Sequence, residues 1–323
     1  MKSITFHKYG TSKDLTLCEI DKPIPKDNEV LVKIHASSVN DWDWGLLRGQ
    51  PFVNKLIFGL FKPKVKTLGI DIAGTIEAKG VKANRFNLHD KVLGDVSGER
   101  MGGFAEYVCV DEKVLELKSE NLSFQEAAAF PQAGVLAIQG FIDEWKIEKG
   151  QKVLINGAGG GSGTFAIQFA KHLGAVVTGV DKRMKFDLML EAGADNVIDY
   201  LKEDFTKSGA QYDYILDMAG HHPLFDYKSA LTKHGKYLLV GGSATLIISC
   251  IFLGPIISLI SNKKMKILAH QPNKYLARLM ELSQNGTLEP FIDSSYPLKD
   301  VPKALDHFGQ GECKGKIIIS NID

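Results

Sequence analysis

The chain has 323 residues, 44% hydrophobic and 24% charged, a composition that suits a globular protein with two domains of ordinary size. Its 39 basic and 38 acidic residues are interspersed and leave a net charge of +1, without the basic stripe that grips nucleic acid. The four cysteines, Cys18, Cys109, Cys250 and Cys313, stand far apart, which argues against a disulfide framework and a paired-thiolate zinc knuckle.

The first residues, MKSITFHKYG, lack the apolar core of a secretory leader, so the expected compartment is the cytoplasm. Up to about residue 120, short apolar runs at 30–34, 70–76 and 104–110 are separated by turn signals such as Lys79-Gly80 and Gly102-Gly103. That texture predicts a β-rich region. It changes at Ser123, which stands in capping-box spacing with Glu126 and opens a stretch of good helix formers. From Gln151 strands and helices alternate: strands at 152–156, 176–180, 196–198, 214–217, 237–240 and 265–269, with helices at 164–173 and 185–191. Alternation of this kind predicts parallel strands, right-handed crossovers and helices on both faces of the sheet. A helix at 274–285 and a strand at 315–320 close the chain. The apolar stretch 246–260 is shorter than the roughly 20 residues of a spanning helix and is interrupted by Gly254 and Pro255, so it is expected to be a buried segment or a contact surface.

The most informative segment is VLINGAGGGSGTFAIQFAKHLGAVVTGVD, residues 153–181. An apolar strand runs into glycines, the glycines open a helix, and a second strand ends on Asp181. A dinucleotide needs this order, because absent side chains let main-chain N–H groups reach a pyrophosphate at a helix N-terminus. Gly157, Gly160 and Gly163 fall on a G-x-x-G-x-x-G spacing that also includes Gly161 and Ser162, while Ala158 replaces the first glycine of the common G-x-G-x-x-G form.

The segment NGAGGGSGTFAIQFAKHLGA resembles the glycine motif of zinc-independent quinone and enone reductases of the medium-chain dehydrogenase/reductase superfamily. EVLVKIHASSVNDWDW, LGIDIAGTIEAKGVKANRFNLHDKVLGDV, GGFAEYVCV, EAGADNVIDYLKEDF and the closing GKIII support the resemblance, which covers nearly the whole chain and is nearest to the subgroup related to reticulon-4-interacting protein. It implies an α/β fold: a GroES-like β-rich catalytic domain (1–122 and 270–323) plus a Rossmann domain with a doubly wound parallel sheet (123–269). It also implies a homodimer paired through the last Rossmann strands, and an oxidoreductase acting on a small electrophilic molecule.

Zinc-dependent members of the superfamily hold their metal with cysteine, histidine and cysteine or aspartate. Here Asn40 stands at the cysteine position and Ile70 at the histidine position, and the four-cysteine lobe is reduced to a short turn at 95–103. No designed metal site is expected. Without a Lewis acid, the easier reaction is hydride delivery to a quinone or an α,β-unsaturated carbonyl, whose developing charge is delocalised. In the family, the counterparts of Asn40 and Asp43 line the nicotinamide side of the cleft. The alternative is a loop-capping role for Asn40 and a structural salt bridge or cap for Asp43. Tyr107 reads as a core aromatic, and water is the expected proton source. Gly220, Gly241 and Gly242, with Ser243, match family cofactor positions at strand ends. Leu136 departs from the family, standing where relatives often carry a threonine.

The signals for cofactor choice conflict. Asp181 is placed to bind a ribose 2′-hydroxyl and repel a 2′-phosphate. Lys182, Arg183 and Lys185 follow it, and the family's NADPH users place a lysine and a tyrosine matching Lys185 and Tyr200 on that phosphate. Three cations near one aspartate favour NADPH, with NADH as the alternative. The competing readings are an NAD(P)-dependent alcohol dehydrogenase and a non-catalytic dinucleotide-binding protein like the crystallins of this superfamily.

Overall fold

The structure is a computed structural model that describes residues 1–98, 101–143 and 145–321. It divides into two units, one of Met1–Val135, Pro272–Asn285 and Pro290–Asp323, the other of Leu136–Gln271 and Gly286–Glu289. The first division therefore falls inside a helix at Val135 rather than at Ser123.

The first unit carries strands β1 (Lys2–Thr5), β2 (Thr16–Glu19), β3 (Glu29–Ser38), β4 (Asp71–Lys79), β5 (Lys91–Asp95), β6 (Tyr107–Asp111) and β7 (Glu116–Leu117). Helices α1 (Asp41–Arg48), α2 (Phe52–Phe58) and α3 (Phe124–Ala128) interrupt or follow them. Strand β3 is the hub, pairing antiparallel with β4 along one edge and with β6. Its inward residues Val30, Val32 and Ile34 join Ile72, Ile76, Val92 and Val108 in a dry core, the period-2 packing expected of a sheet with one buried face. The Ser123 capping box forms as expected, with the Ser123 N–H donating to Glu126 Oε2 (2.7 Å) and the Glu126 N–H to Ser123 Oγ (3.1 Å). The helix it opens is only α3. A second helix, α4 (Pro131–Asp143), begins at Pro131, because proline lacks the N–H that would continue α3 but suits a first helical turn.

The second unit is a six-stranded sheet made of β8 (Lys152–Asn156), β9 (Val176–Asp181), β10 (Asn196–Asp199), β11 (Tyr212–Asp217), β12 (Leu231–Leu239) and β13 (Lys264–Ile267). Every neighbour pair is parallel and the spatial order is β10-β9-β8-β11-β12-β13. This is the doubly wound order of a Rossmann sheet, with the reversal between β8 and β11. Its crossovers include α5 (Gly161–His172), α6 (Phe186–Glu191), α7 (Leu224–Ser229) and α8 (Ala244–Ile260). The apolar stretch expected to break at Gly254 and Pro255 is one continuous helix, α8. Gly254 is where it touches the sheet: a Cβ there would lie 2.8 Å from the Met265 carbonyl oxygen. The chain then returns to the first unit with α9 (Leu276–Gln284), β14 (Ile292–Pro297), α10 (Val301–Gly309) and β15 (Lys316–Ser320). Strand β15 pairs antiparallel with the end of β3, which brings Lys316 back to residues near 40.

Candidate active site

The glycine turn links β8 to α5. Gly157 adopts φ +80°, a left-handed conformation that favours glycine, and its N–H donates to the Val180 carbonyl (3.0 Å). Gly160 is the N-cap of α5, and a Cβ on it would meet nothing nearer than 3.5 Å, so this end of the helix is open. Gly163 is different: a Cβ would lie 2.3 Å from the Gly157 oxygen and 2.5 Å from that of Ala158. The third glycine is thus required for close packing, while the second leaves space at the helix end. Gly161 and Ser162 are half-buried in the first turn of α5, where main-chain N–H groups lack intrahelical acceptors. Such a turn fits a pyrophosphate.

Asp181 ends β9 and turns its carboxylate inward. Oδ2 accepts from the Gly159 N–H (3.0 Å), Oδ1 from the Lys182 N–H (2.8 Å), and the Lys185 ammonium lies 3.3 Å away. Both side chains of the ion pair are buried, with Asp181 at 7% and Lys185 at 6% exposure. Lys185 therefore differs from the expectation of a residue that opens a helix and reaches toward a 2′-phosphate. It lies in a short 3-10 turn before α6, its stem packed so closely that a Cβ on Gly159 would fall 2.7 Å from it. Lys182 is half-buried and Arg183 exposed. Tyr200 is partly exposed, its ring 6.3 Å from that of His221, and burial together with Asp181 and Asp199 raises its phenol above the ordinary value.

Behind this turn lies a network that sequence reasoning did not find. Asp217, at the end of β11, is fully buried and accepts from Asn156 Nδ2 (2.8 Å), the Tyr237 hydroxyl (2.8 Å) and the Ala219 N–H (3.3 Å). Burial pushes its carboxyl up and these donors pull it back. The network joins the ends of β8 and β11 at the sheet's reversal point. Just beyond, Gly220 and Gly242 bridge in parallel, and a Cβ on Gly242 would lie 2.5 Å from the Gly220 oxygen. Gly220, Gly241 and Gly242 thus continue the carboxyl edge where open sheets bind ligands.

In the first unit, Asn40 and Asp43 come together at the start of α1. Asp43 is buried, its Oδ2 accepting from the Asn40 N–H (3.0 Å) and its Oδ1 from the Gly69 N–H (2.8 Å). Burial pushes its carboxyl up to about 7, while those two donors lower it. The Asn40 side chain is fully engaged too: Nδ2 donates to Asp71 Oδ2 (2.9 Å) and Oδ1 accepts from the Lys316 ammonium (2.5 Å). Asp43 thus caps the Asn40 N–H, whereas the Asn40 side chain is taken up by Asp71 and Lys316. Asp71, at the start of β4, also accepts from Ser38 Oγ (2.6 Å) and from the Gln132 N–H (2.9 Å), with Lys316 at 3.5 Å. Burial pushes the Lys316 ammonium down, and Asp71 and Asp43 oppose that shift.

This cluster does not fit a zinc ion. An amide and a buried ammonium occupy it, and an ammonium repels a divalent cation where a ligand would attract one. Among the described residues no group of three His, Cys, Asp or Glu side chains is placed to hold a metal.

Residues 26–119 match the alcohol dehydrogenase GroES-like domain family and residues 192–319 the zinc-binding dehydrogenase family. The chain is 30% identical to a chloroplastic quinone oxidoreductase, QR1, from Triphysaria versicolor, over 99% of this chain and 98% of that one. It belongs to the zinc-independent quinone oxidoreductase branch of the medium-chain dehydrogenases and reductases. As a member of that branch it is an NAD(P)H-dependent oxidoreductase that uses a nicotinamide dinucleotide. The mouse mitochondrial NAD(P)H oxidoreductase RTN4IP1 is also 30% identical, over 100% of this chain and 89% of its own. Among solved structures, the quinone oxidoreductase of Coxiella burnetii matches with a TM-score of 0.88 and 28% identity, covering 100% of this chain and 99% of that one.

Proposed function

We propose that this oxidoreductase uses NADPH to reduce a quinone or an α,β-unsaturated carbonyl without zinc. The observation that carries the reading is the Lys316 ammonium seated against Asn40 and Asp71, in a cluster built for a fixed cation and not for a metal. With no Lewis acid to stabilise an alkoxide, the acceptor must be one whose developing negative charge is already delocalised. Names carried by relatives, quinone oxidoreductase among them, agree with that class.

When bound, the cofactor supplies the hydride. The protein's task is to bind, orient and exclude water. The N–H groups around Gly157, Gly160, Gly161, Ser162 and Gly163 hold the diphosphate, and Gly220, Gly241 and Gly242 let the dinucleotide lie close to the sheet edge. Lys185 neutralises Asp181, removing the repulsion that would exclude a 2′-phosphate. Lys182, Arg183 and Tyr200 then bind that phosphate. Asn40 and Asp43 act as positioning residues: they fix the turn between β3 and α1 and, through Asp71, the start of α4. The proton comes from water. The enzyme works in the cytoplasm as a homodimer, a reading supported by β13, which ends the sheet and has no further strand beside it among the described residues.

The test is turnover of NADPH and NADH against quinones, enones and secondary alcohols, with a strong chelator present. NADPH-dependent reduction of quinones or enones supports the reading. Alcohol oxidation would favour an alcohol dehydrogenase, and tight cofactor binding with no turnover of any acceptor a binding protein.

A further inference from the structure

Helix α8 has no charged residue in its 17 positions. One stripe, with Leu246, Cys250, Gly254 and Ile257, is buried against the sheet. The opposite stripe is as apolar as the buried one. Ile248, Ile251, Phe252, Ile256, Leu259 and Ile260 are all exposed, Phe252 at 69%, Ile260 at 72% and Leu259 at 86%. Their spacing of three and four keeps them on one side from Ile248 to the end of the helix, about 20 Å at 1.5 Å per residue. A contiguous apolar face of this kind marks a place of interaction.

Charge identifies the partner. From Gly241 to Gln271 the chain has no aspartate or glutamate, and it has three lysines, Lys263, Lys264 and Lys266. They follow directly on the C-terminal end of α8. Lys263 is half-buried and donates to the carbonyls of Lys228 and Leu231, which leaves Lys264 and Lys266 exposed at this end. A second copy of the chain would bring the same apolar stripe and the same lysines, with no acidic residue in this segment to meet them. An anionic lipid surface satisfies both features, since acyl chains accept the side chains and head groups the lysines. The helix is shorter than the roughly 20 residues needed to cross a bilayer, so it lies in the interface plane.

We propose that α8 docks the enzyme on the surface of an anionic bilayer, with the stripe from Ile248 to Ile260 in the acyl boundary and the exposed Lys264 and Lys266 toward the head groups. This does not rest on the assigned reaction, and it places the enzyme beside acceptors dissolved in lipid.

The experiment is co-sedimentation of the full chain with vesicles of phosphatidylcholine alone and of equal parts phosphatidylcholine and phosphatidylglycerol. The wild type pellets with the mixed vesicles, more weakly with the neutral ones, and less as salt is raised. Each lysine near the surface strengthens binding roughly fivefold. Phe252→Ser with Leu259→Ser lowers the partition at least tenfold, because two exposed apolar side chains are lost from the lipid-facing stripe. Both positions are on the surface, so melting temperature and NADPH oxidation with a water-soluble quinone stay at wild-type values. Absence of pelleting with both vesicles, or pelleting that the double variant leaves unchanged, overturns the proposal. So does a lipid-free dimer that the double variant converts to monomer, which would assign the stripe to a second copy. Dimerisation through β13 survives these substitutions.

Discussion

Lys185→Ala separates a phosphate-binding lysine from one that holds the turn. In the structure its ammonium lies 3.3 Å from Asp181 in a pair that is almost wholly buried. Removing one partner of a buried pair costs about 3–5 kcal/mol, because the remaining charge stays buried without compensation. Asp181 retains two main-chain donors, the N–H groups of Gly159 and Lys182, which places the loss near 3 kcal/mol. For a unit of this size that is a fall in melting temperature of roughly 6–12 °C. The Gly159 N–H bond ties the glycine turn to Asp181, so loosening the pair weakens both cofactors, and NADPH the more because the Asp181 charge is no longer neutralised. Titration of both cofactors by fluorescence, beside a thermal melt, measures the two effects. A selective loss of NADPH, with NADH affinity and melting temperature unchanged, would refute the reasoning and make Lys185 a phosphate ligand.

Other substitutions probe the remaining parts of the site. Lys182→Ala with Arg183→Ala should weaken NADPH by roughly ten- to a hundredfold and leave NADH nearly unchanged, as expected for hydrogen bonds to a charged phosphate; equal losses for both cofactors would contradict this. Lys316→Met leaves Asp71 buried beside Asp43 and should cost about 3–5 kcal/mol in chemical denaturation, most of it restored by adding Asp71→Asn. Asp43 has a folded-state value raised to about 7, so the folded protein holds the extra proton and stability is greatest at low pH. That contribution is lost as pH rises from about 4 to about 7, and Asp43→Asn should flatten this part of the stability profile. Purified protein should carry well under one zinc per chain, which elemental analysis checks.

Much of the second unit was legible in the chain. Strand, glycines, helix and second strand follow one another within residues 153–181, and local order of that kind survives folding unchanged. The continuity of α8 was not legible. Gly254 and Pro255 suggest an interruption, and only the close approach of Gly254 to Met265 shows why the glycine belongs inside a helix. The direction of the Asp181 carboxylate was equally hidden, since its partners Gly159 and Lys185 lie on opposite sides of it in sequence. In the first unit the pairing of Asn40 with Asp43 is local, three residues apart, and both residues were singled out. Their cluster mates were missed because Asp71 and Lys316 come from 31 and 276 residues away from Asn40. One sign was available: a lysine heading the apolar run KIIIS, and an aspartate heading DIAG, are costly inside a sheet unless they meet. Asp217 and Asn156, polar ends of apolar strands, carry the same sign at the sheet's reversal point.

Metal-free reduction of an activated acceptor by NADPH is open to a single kinetic test. Its most direct measurement is the initial rate of NADPH oxidation with a quinone and with an enone, in a strong chelator, beside the same rates with NADH. Turnover of at least one acceptor is expected, unchanged by the chelator and with NADPH preferred. Activity that the chelator abolishes and added zinc restores, or a severalfold preference for NADH, would contradict it.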